Sequence, residues 1–223
     1  MNLGGLRVGV PDVVRRRIDG SYEIDDWGLD RDLVEAISPL VGLRWTVDAQ
    51  WSSRIPESGP ALLVYNRQWG FAEAFVLARG IRLATGRFVR NVGVPDVDPI
   101  GPLLRRLGGV LDRPDEVAGL LRAGEVVALP LGRDRRAERA GVVDPRTVAT
   151  AIGAGVPVLP VALLGRELGR TWRLLVGEPV PLPAERGPLA DVEYAEAARR
   201  AVQALLDEAE RPVRVFSLKR GSR

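Results

Sequence analysis

The chain of 223 residues contains no cysteine and no histidine, and Lys219 is its only lysine. Without cysteine there is no disulfide, no thiolate nucleophile and no cysteine-held metal. Without histidine there is no imidazole base or imidazole metal ligand, so Ser-His-Asp and Cys-His catalysis are excluded. Serines are few, most of them near the termini or in the 52–58 loop, and none stands in a G-x-S-x-G turn. No run approaches the roughly 20 apolar residues of a membrane span. The longest, Val156–Leu164, holds two prolines and reads as a buried strand. The opening "MNLGGLRVGVPDVVRRR" lacks the apolar centre of a signal peptide. A cytoplasmic protein is expected. Arg15, Arg16 and Arg17 either touch anionic lipid at the inner face of a membrane or form a solvated charge run.

What remains is a soluble, globular composition, 46% hydrophobic and 27% charged, with ample material for a core. The formal net charge of +3 is too small to point to a nucleic-acid partner. The positive charge is almost all arginine, the side chain suited to forked recognition of phosphate and carboxylate, although a coding bias produces the same composition.

Periodicity organises the chain into an N-terminal arm over 1–28 and one α/β domain over 29–223. Helical spacing at 29–41 places Leu29, Leu33, Ile37 and Leu40 on one face, and "LRWTVD" at 43–48 alternates like a strand. "RIPESGP" turns the chain into the strand "ALLVY" at 61–65. A helix over 71–84 presents Phe71, Phe75, Leu77, Ala78 and Ile81. Strands at 88–92 and 125–130, a helix at 114–123 closed by Gly124, and a helix at 145–154 follow. Two more strands lie in "VPVLPVALLG" and "TWRLLVG". The last helix, 191–210, carries a stripe of Val192, Ala195, Ala198, Val202, Leu205 and Leu206. Helices alternating with buried strands predict a mixed, mostly parallel sheet flanked by helices.

Four segments over about 56–180 share an order with a known family. They are "GPALLVYNRQWGFAEAFVLARG", "PIGPLLRRLGGVLDR", "LLRAGEVVALPLGRDR" and "GVPVLPVALLG". Together they resemble the glycerolipid acyltransferases that act on lysophosphatidic acid or glycerol 3-phosphate. The resemblance implies a single acyltransferase-like domain. It also implies ligands such as acyl-CoA, acyl carrier protein or a lysophospholipid-like acceptor, with no cofactor and no metal.

The departures from that family fall on its chemistry. Its H-x-x-x-x-D pair corresponds to Arg67 and Ala72, and a guanidinium that stays protonated cannot act as a base. Glu73 is a candidate shifted carboxylate, although one helical residue turns it about 100° away from position 72. The family's F-P-E-G-T-R becomes Leu129, Pro130, Leu131, Gly132, Arg133, Asp134, and Arg113 matches its phosphate-contacting arginine. The ligand-binding candidates are therefore Asn66, Arg67, Trp69, Arg113, Gly132, Arg133 and Arg135. Two readings stand for the arginines: they converge as an anion clamp, or they pair with Asp96, Asp98, Asp112, Asp134 and Glu73. Trp69 and Phe71 either line an acyl groove or pack the loop. The D-x-D of Asp96 and Asp98 is a poor metal site with only two carboxylates. The resulting expectations are a degenerate acyltransferase that binds an anionic lipid or acyl ligand or acts as a regulatory partner, a working enzyme with a base other than histidine, or an interaction module with a closed pocket.

Overall fold

The computed structural model describes residues 15–16, 19–20, 22–68, 70–134 and 139–210. The candidates Trp69 and Arg135 lie outside the described residues. The first elements are helix α1 (Arg31–Arg44) and strand β1 (Thr46–Gln50). Then come β2 (Ala61–Tyr65), α2 (Ala72–Thr85), β3 (Val89–Val92), α3 (Ile100–Arg106), β4 (Gly109–Val110) and α4 (Pro114–Arg122). The chain continues through β5 (Val126–Pro130), α5 (Pro145–Ala154), β6 (Val158–Leu164), β7 (Thr171–Val176) and α6 (Pro188–Glu210).

The seven strands form one sheet in the order β1-β7-β6-β2-β5-β3-β4. Strands β6, β2, β5, β3 and β4 are mutually parallel, while β7 runs antiparallel to β6 and carries β1 parallel to itself. The fully buried strands read as continuous apolar runs because helices cover both faces. On β2, Leu62 and Val64 face a core shared with α4, α5 and α6, whereas Ala61, Leu63 and Tyr65 face the α2 side. Strand β5 divides in the same way, with Val127 and Leu129 on the first face and Val126 and Ala128 on the second. This two-residue alternation fixes which side chains reach each layer.

Helix boundaries follow local chemistry. Asp30 caps α1 by accepting the Leu33 N–H at 2.8 Å, and Asp144 caps α5 by accepting the Arg146 N–H at 2.9 Å ahead of Pro145. Gly124, with φ of 82°, takes the left-handed turn that ends α4.

Three predicted helical faces need correction. Phe71 precedes α2 and is exposed, and the buried face is Ala72, Glu73, Val76, Leu77, Gly80 and Ile81. Leu40 is exposed on α1, where Ala36 is the buried residue. On α6 Val192 is exposed and Tyr194 is buried instead, because its hydroxyl finds the Val180 carbonyl at 3.0 Å.

The chain ahead of α1 is tied to the sheet edge. Asp25 pairs with Arg90, whose side chain is 1% exposed, and Glu125 lies on the same guanidinium at 3.4 Å. The Trp27 ring packs so closely on Gly119 that a Cβ there would lie 2.3 Å from it.

Candidate functional site

The carboxyl ends of parallel strands are where open α/β sheets hold ligands, because the loops diverge there on either side of a topological switch. In this chain β2 lies between β5 and β6, and its carboxyl end opens towards the loops after β3 and β5. A cavity of about 390 Å³ occupies that position, between α2 and the segment running from β3 into α3. Its volume falls within the roughly 300–1,000 Å³ typical of small-ligand sites. Phe75 and Ala78 of α2, with Val94, Ile100 and Leu104 opposite, supply apolar walls. The polar lining residues are Tyr65, Arg67, Glu73 and Asn91.

Each of these four is placed by its element. Tyr65 is the last residue of β2, on the α2 side, and is buried. Burial pushes its phenol well above the ordinary tyrosine value; the nearby Arg67 charge opposes that rise and the Glu73 charge adds to it. Tyr65 is therefore neutral at physiological pH. Arg67 follows in the loop and is half-buried. Among the described residues it has no hydrogen-bond or ion-pair partner.

Glu73 is 3% exposed and accepts the Gln68 N–H at 2.9 Å. The helical-turn argument turned this side chain away from position 72. The loop folds back over the first turn of α2, so the Gln68 amide holds the carboxylate beside Arg67 in the cavity wall. Asn91 lies on β3, on the same face as Val89. Its Nδ2 donates to the Ala74 carbonyl at 3.3 Å, and its buried Oδ1 has no partner among the described residues.

The other candidates lie elsewhere. Asn66 is consumed by the fold: Nδ2 donates to the Leu163 carbonyl at 2.9 Å, and Oδ1 accepts the Leu163 N–H at 2.7 Å. It locks β2 to β6, and its side chain is fully buried. Arg113 is exposed and pairs with Asp96 at 3.4 Å. That ion pair leaves Asp96 facing an arginine, and no group of three metal-ligating side chains occurs among the described residues. Gly132 and Arg133 are exposed beyond β5, with the Gly132 N–H bonded to the Val142 carbonyl at 2.6 Å. Leu131 is buried in the core on the α6 side. Of the predicted arginines that are described, only Arg67 lines the cavity.

Sequence reading passed over Asn91, Tyr65 and Glu167. Asn91 looked like an ordinary member of "FVRNV", and a polar residue in a wholly buried strand was the available signal. Glu167, on the turn between β6 and β7, accepts the Ala72 N–H at 3.0 Å and so caps α2 from across the sheet.

Neither protein-family models nor curated proteins match the chain. Among solved structures, it resembles the crystal structure of the 1-acyl-sn-glycerophosphate (LPA) acyltransferase PlsC from Thermotoga maritima. The TM-score is 0.57 at 20% sequence identity, over 82% of this chain and 84% of that one. The chain has the acyltransferase fold. The single domain with a mixed, mostly parallel sheet expected from the sequence is the observed one. Within this fold the loop after β2 carries Arg67, which lines the cavity, and α2 begins at Ala72, next to the lining residue Glu73.

Proposed function

We propose that this chain belongs to the glycerolipid acyltransferases, has lost their histidine reaction, and binds an anionic acyl lipid as a lipid-binding or regulatory protein. One observation carries the reading: an apolar-walled cavity of about 390 Å³ with Arg67, unpaired among the described residues, in its wall. An apolar groove takes the chain of an amphiphile, and a guanidinium takes a phosphate or carboxylate head. No imidazole exists anywhere in the chain, and Arg67 cannot accept a proton. The open cavity favours ligand binding over an interaction module with a closed pocket. Since the solved neighbour is named for 1-acyl-sn-glycerophosphate, lysophosphatidate is the first ligand to test.

Native mass spectrometry of gently purified protein is expected to find bound lipid. In solution, lysophosphatidate should bind, and Arg67→Ala should weaken it by about tenfold or more, the loss of one charge-assisted hydrogen bond. With lysophosphatidate and either acyl-CoA or acyl carrier protein, no acyl transfer is expected. Robust turnover abolished by Arg67→Ala would overturn this reading.

A second reading rests on Glu73, a buried carboxylate in the cavity wall. In it the chain is a working transferase. Glu73 takes the proton of an acceptor hydroxyl, the hydroxyl oxygen attacks an acyl thioester carbon, and the thiolate leaves. Turnover lost in Glu73→Gln with lipid binding retained would favour this reading over the first.

The lipid reading extends to a membrane surface. Phe71, at the cavity mouth, and Leu168, beside the Glu167 cap, are 82% and 90% exposed. Ile100 and Leu103 of α3 are also exposed. Apolar side chains around the opening of a lipid site favour a peripheral contact with the bilayer that supplies the ligand.

A further inference from the structure

The two edges of the sheet are not alike. Strand β4 offers two residues, whereas β1 offers five, Thr46–Gln50, and no strand lies beyond it among the described residues. The Thr46 N–H bonds to the Arg170 carbonyl, so in this parallel ladder the backbone groups of residues 46, 48 and 50 point to β7. Those of Val47 and Ala49 point outward. They have no partner strand among the described residues, and such an edge is a template for another chain. Just past the edge stands Trp51, 42% exposed. It is the one described residue other than glycine with a positive φ, 56°, a left-handed conformation that a bulky side chain adopts only under strain. The Arg54 guanidinium lies 5.0 Å from its ring and is itself held by the Val176 carbonyl and Glu178, each at 2.6 Å. The fold thus holds an indole outward at the end of an open edge, where the core does not use it.

We infer that β1 is an interface between two copies of this chain, pairing antiparallel with β1 of the second copy about a two-fold axis at Ala49. Charge chooses this register. An axis at Asp48 would set two carboxylates directly opposite each other, which is destabilising. An axis at Ala49 sets each Asp48 opposite the second copy's Gln50, whose amide donates to a carboxylate. The two groups already meet within one copy, where Gln50 Nε2 donates to Asp48 Oδ2 at 2.8 Å. The same register places Trp51 opposite Val47, on the face that Val47 and Ala49 share against α2. The Trp51 N–H, also directed outward, meets the Val47 carbonyl of the second copy. An axis at Val47 would leave Trp51 outside the pair. A two-fold contact uses up both open edges, so association stops at the dimer. A strand pair of this length is a small interface, and it forms at micromolar concentration or above.

Sedimentation velocity of the unmodified protein should show a dimer that grows in through the micromolar range. Ala49→Pro removes the outward N–H at the axis and leaves the β7 ladder intact, and it should raise the dimer Kd about tenfold or more. Gln50→Asp, which sets carboxylates opposite one another, should also weaken the dimer, and adding Asp48→Lys should restore it. Cross-linking reads the register, because the chain has no cysteine of its own. Residues that face each other at the axis lie about 5.5 Å apart between Cα atoms, within reach of a disulfide. Under a mild oxidant Ala49→Cys should therefore give a covalent dimer, whereas Val47→Cys and Asp48→Cys should not. Unmodified protein that stays monomeric up to millimolar concentration overturns the inference and needs no variant to fold. An unchanged dimer in a folded Ala49→Pro variant overturns it as well, and so does cross-linking through position 47 or 48 in place of 49.

Discussion

The Glu167 carboxylate accepts the backbone N–H of Ala72 at 3.0 Å, joining residues 95 positions apart. The turn between β6 and β7 thereby supplies the cap that the sequence ahead of α2 does not, since Phe71 has no side-chain oxygen. The same turn is anchored on its other side, where Arg44 and the Trp45 indole donate to the Glu167 carbonyl at 2.9 and 3.4 Å. A carboxylate at a helix N-terminus satisfies an orphan amide and complements the helix dipole. Glu167→Ala should therefore cost about 1 kcal/mol. Thermal melts should show a fall in Tm of about 2–4 °C for a chain of this size.

Gly70 leaves room for that cap. A Cβ at Gly70 would lie 2.1 Å from Glu167 Oε2, so Gly70→Ala must push the carboxylate aside. The two substitutions remove the same contact and should not add. A double-mutant cycle by urea unfolding should show a coupling of about 0.5 kcal/mol or more. Strict additivity would mean that Gly70→Ala does not act through the cap.

Asp25 should make the fold sensitive to acid. Burial works against its ionised form, but the Arg90 guanidinium and the Leu29 and Trp27 amides outweigh it and hold the carboxyl below its ordinary value. The folded value is thus depressed relative to the unfolded chain. Its contribution to stability is full above the unfolded value of about 3.9 and is lost as the pH falls through the folded one. Asp25→Asn should destabilise the protein at neutral pH by about 1–2 kcal/mol, because Arg90 loses one of its two carboxylates and keeps Glu125. It should also flatten the acid limb of a stability–pH profile measured by urea unfolding.

The exposed apolar residues around the cavity should govern contact with lipid surfaces. Phe71→Ser with Leu168→Ser should reduce cosedimentation with vesicles containing phosphatidylglycerol. Burying the two side chains at a membrane interface contributes about 1.5–3 kcal/mol each at most, so a loss of about tenfold is expected. Thermal stability should change little, since neither residue is in the core.

Most secondary structure was legible because burial leaves a period. The strand "ALLVY" and the helix 145–154 appear where apolar spacing and capping residues placed them. The misplaced faces have a common cause. Phe71, Leu40 and Val192 sit in apolar patterns yet are exposed, because apolar spacing marks a stripe without showing which of its residues another element covers. The site was legible only in part. The loop at Arg67 was found through its position after a strand and before a helix, and Arg67 does line the cavity. Arg113 and Arg133 are placed elsewhere, on exposed loops.

The sequence by itself determined what chemistry is absent, since no fold can create an imidazole or a thiol. It also determined the alternation of strands and helices, because that follows from local spacing of apolar residues. Only the tertiary structure decided which polar groups are used up and which face the cavity. Asn66 and Asn91 are the same residue type near the ends of neighbouring segments. Asn66 meets the backbone of β6 with both halves of its amide, whereas among the described residues Asn91 meets a carbonyl with one half only. That difference depends on partners far away in the chain, and local sequence carries no record of them.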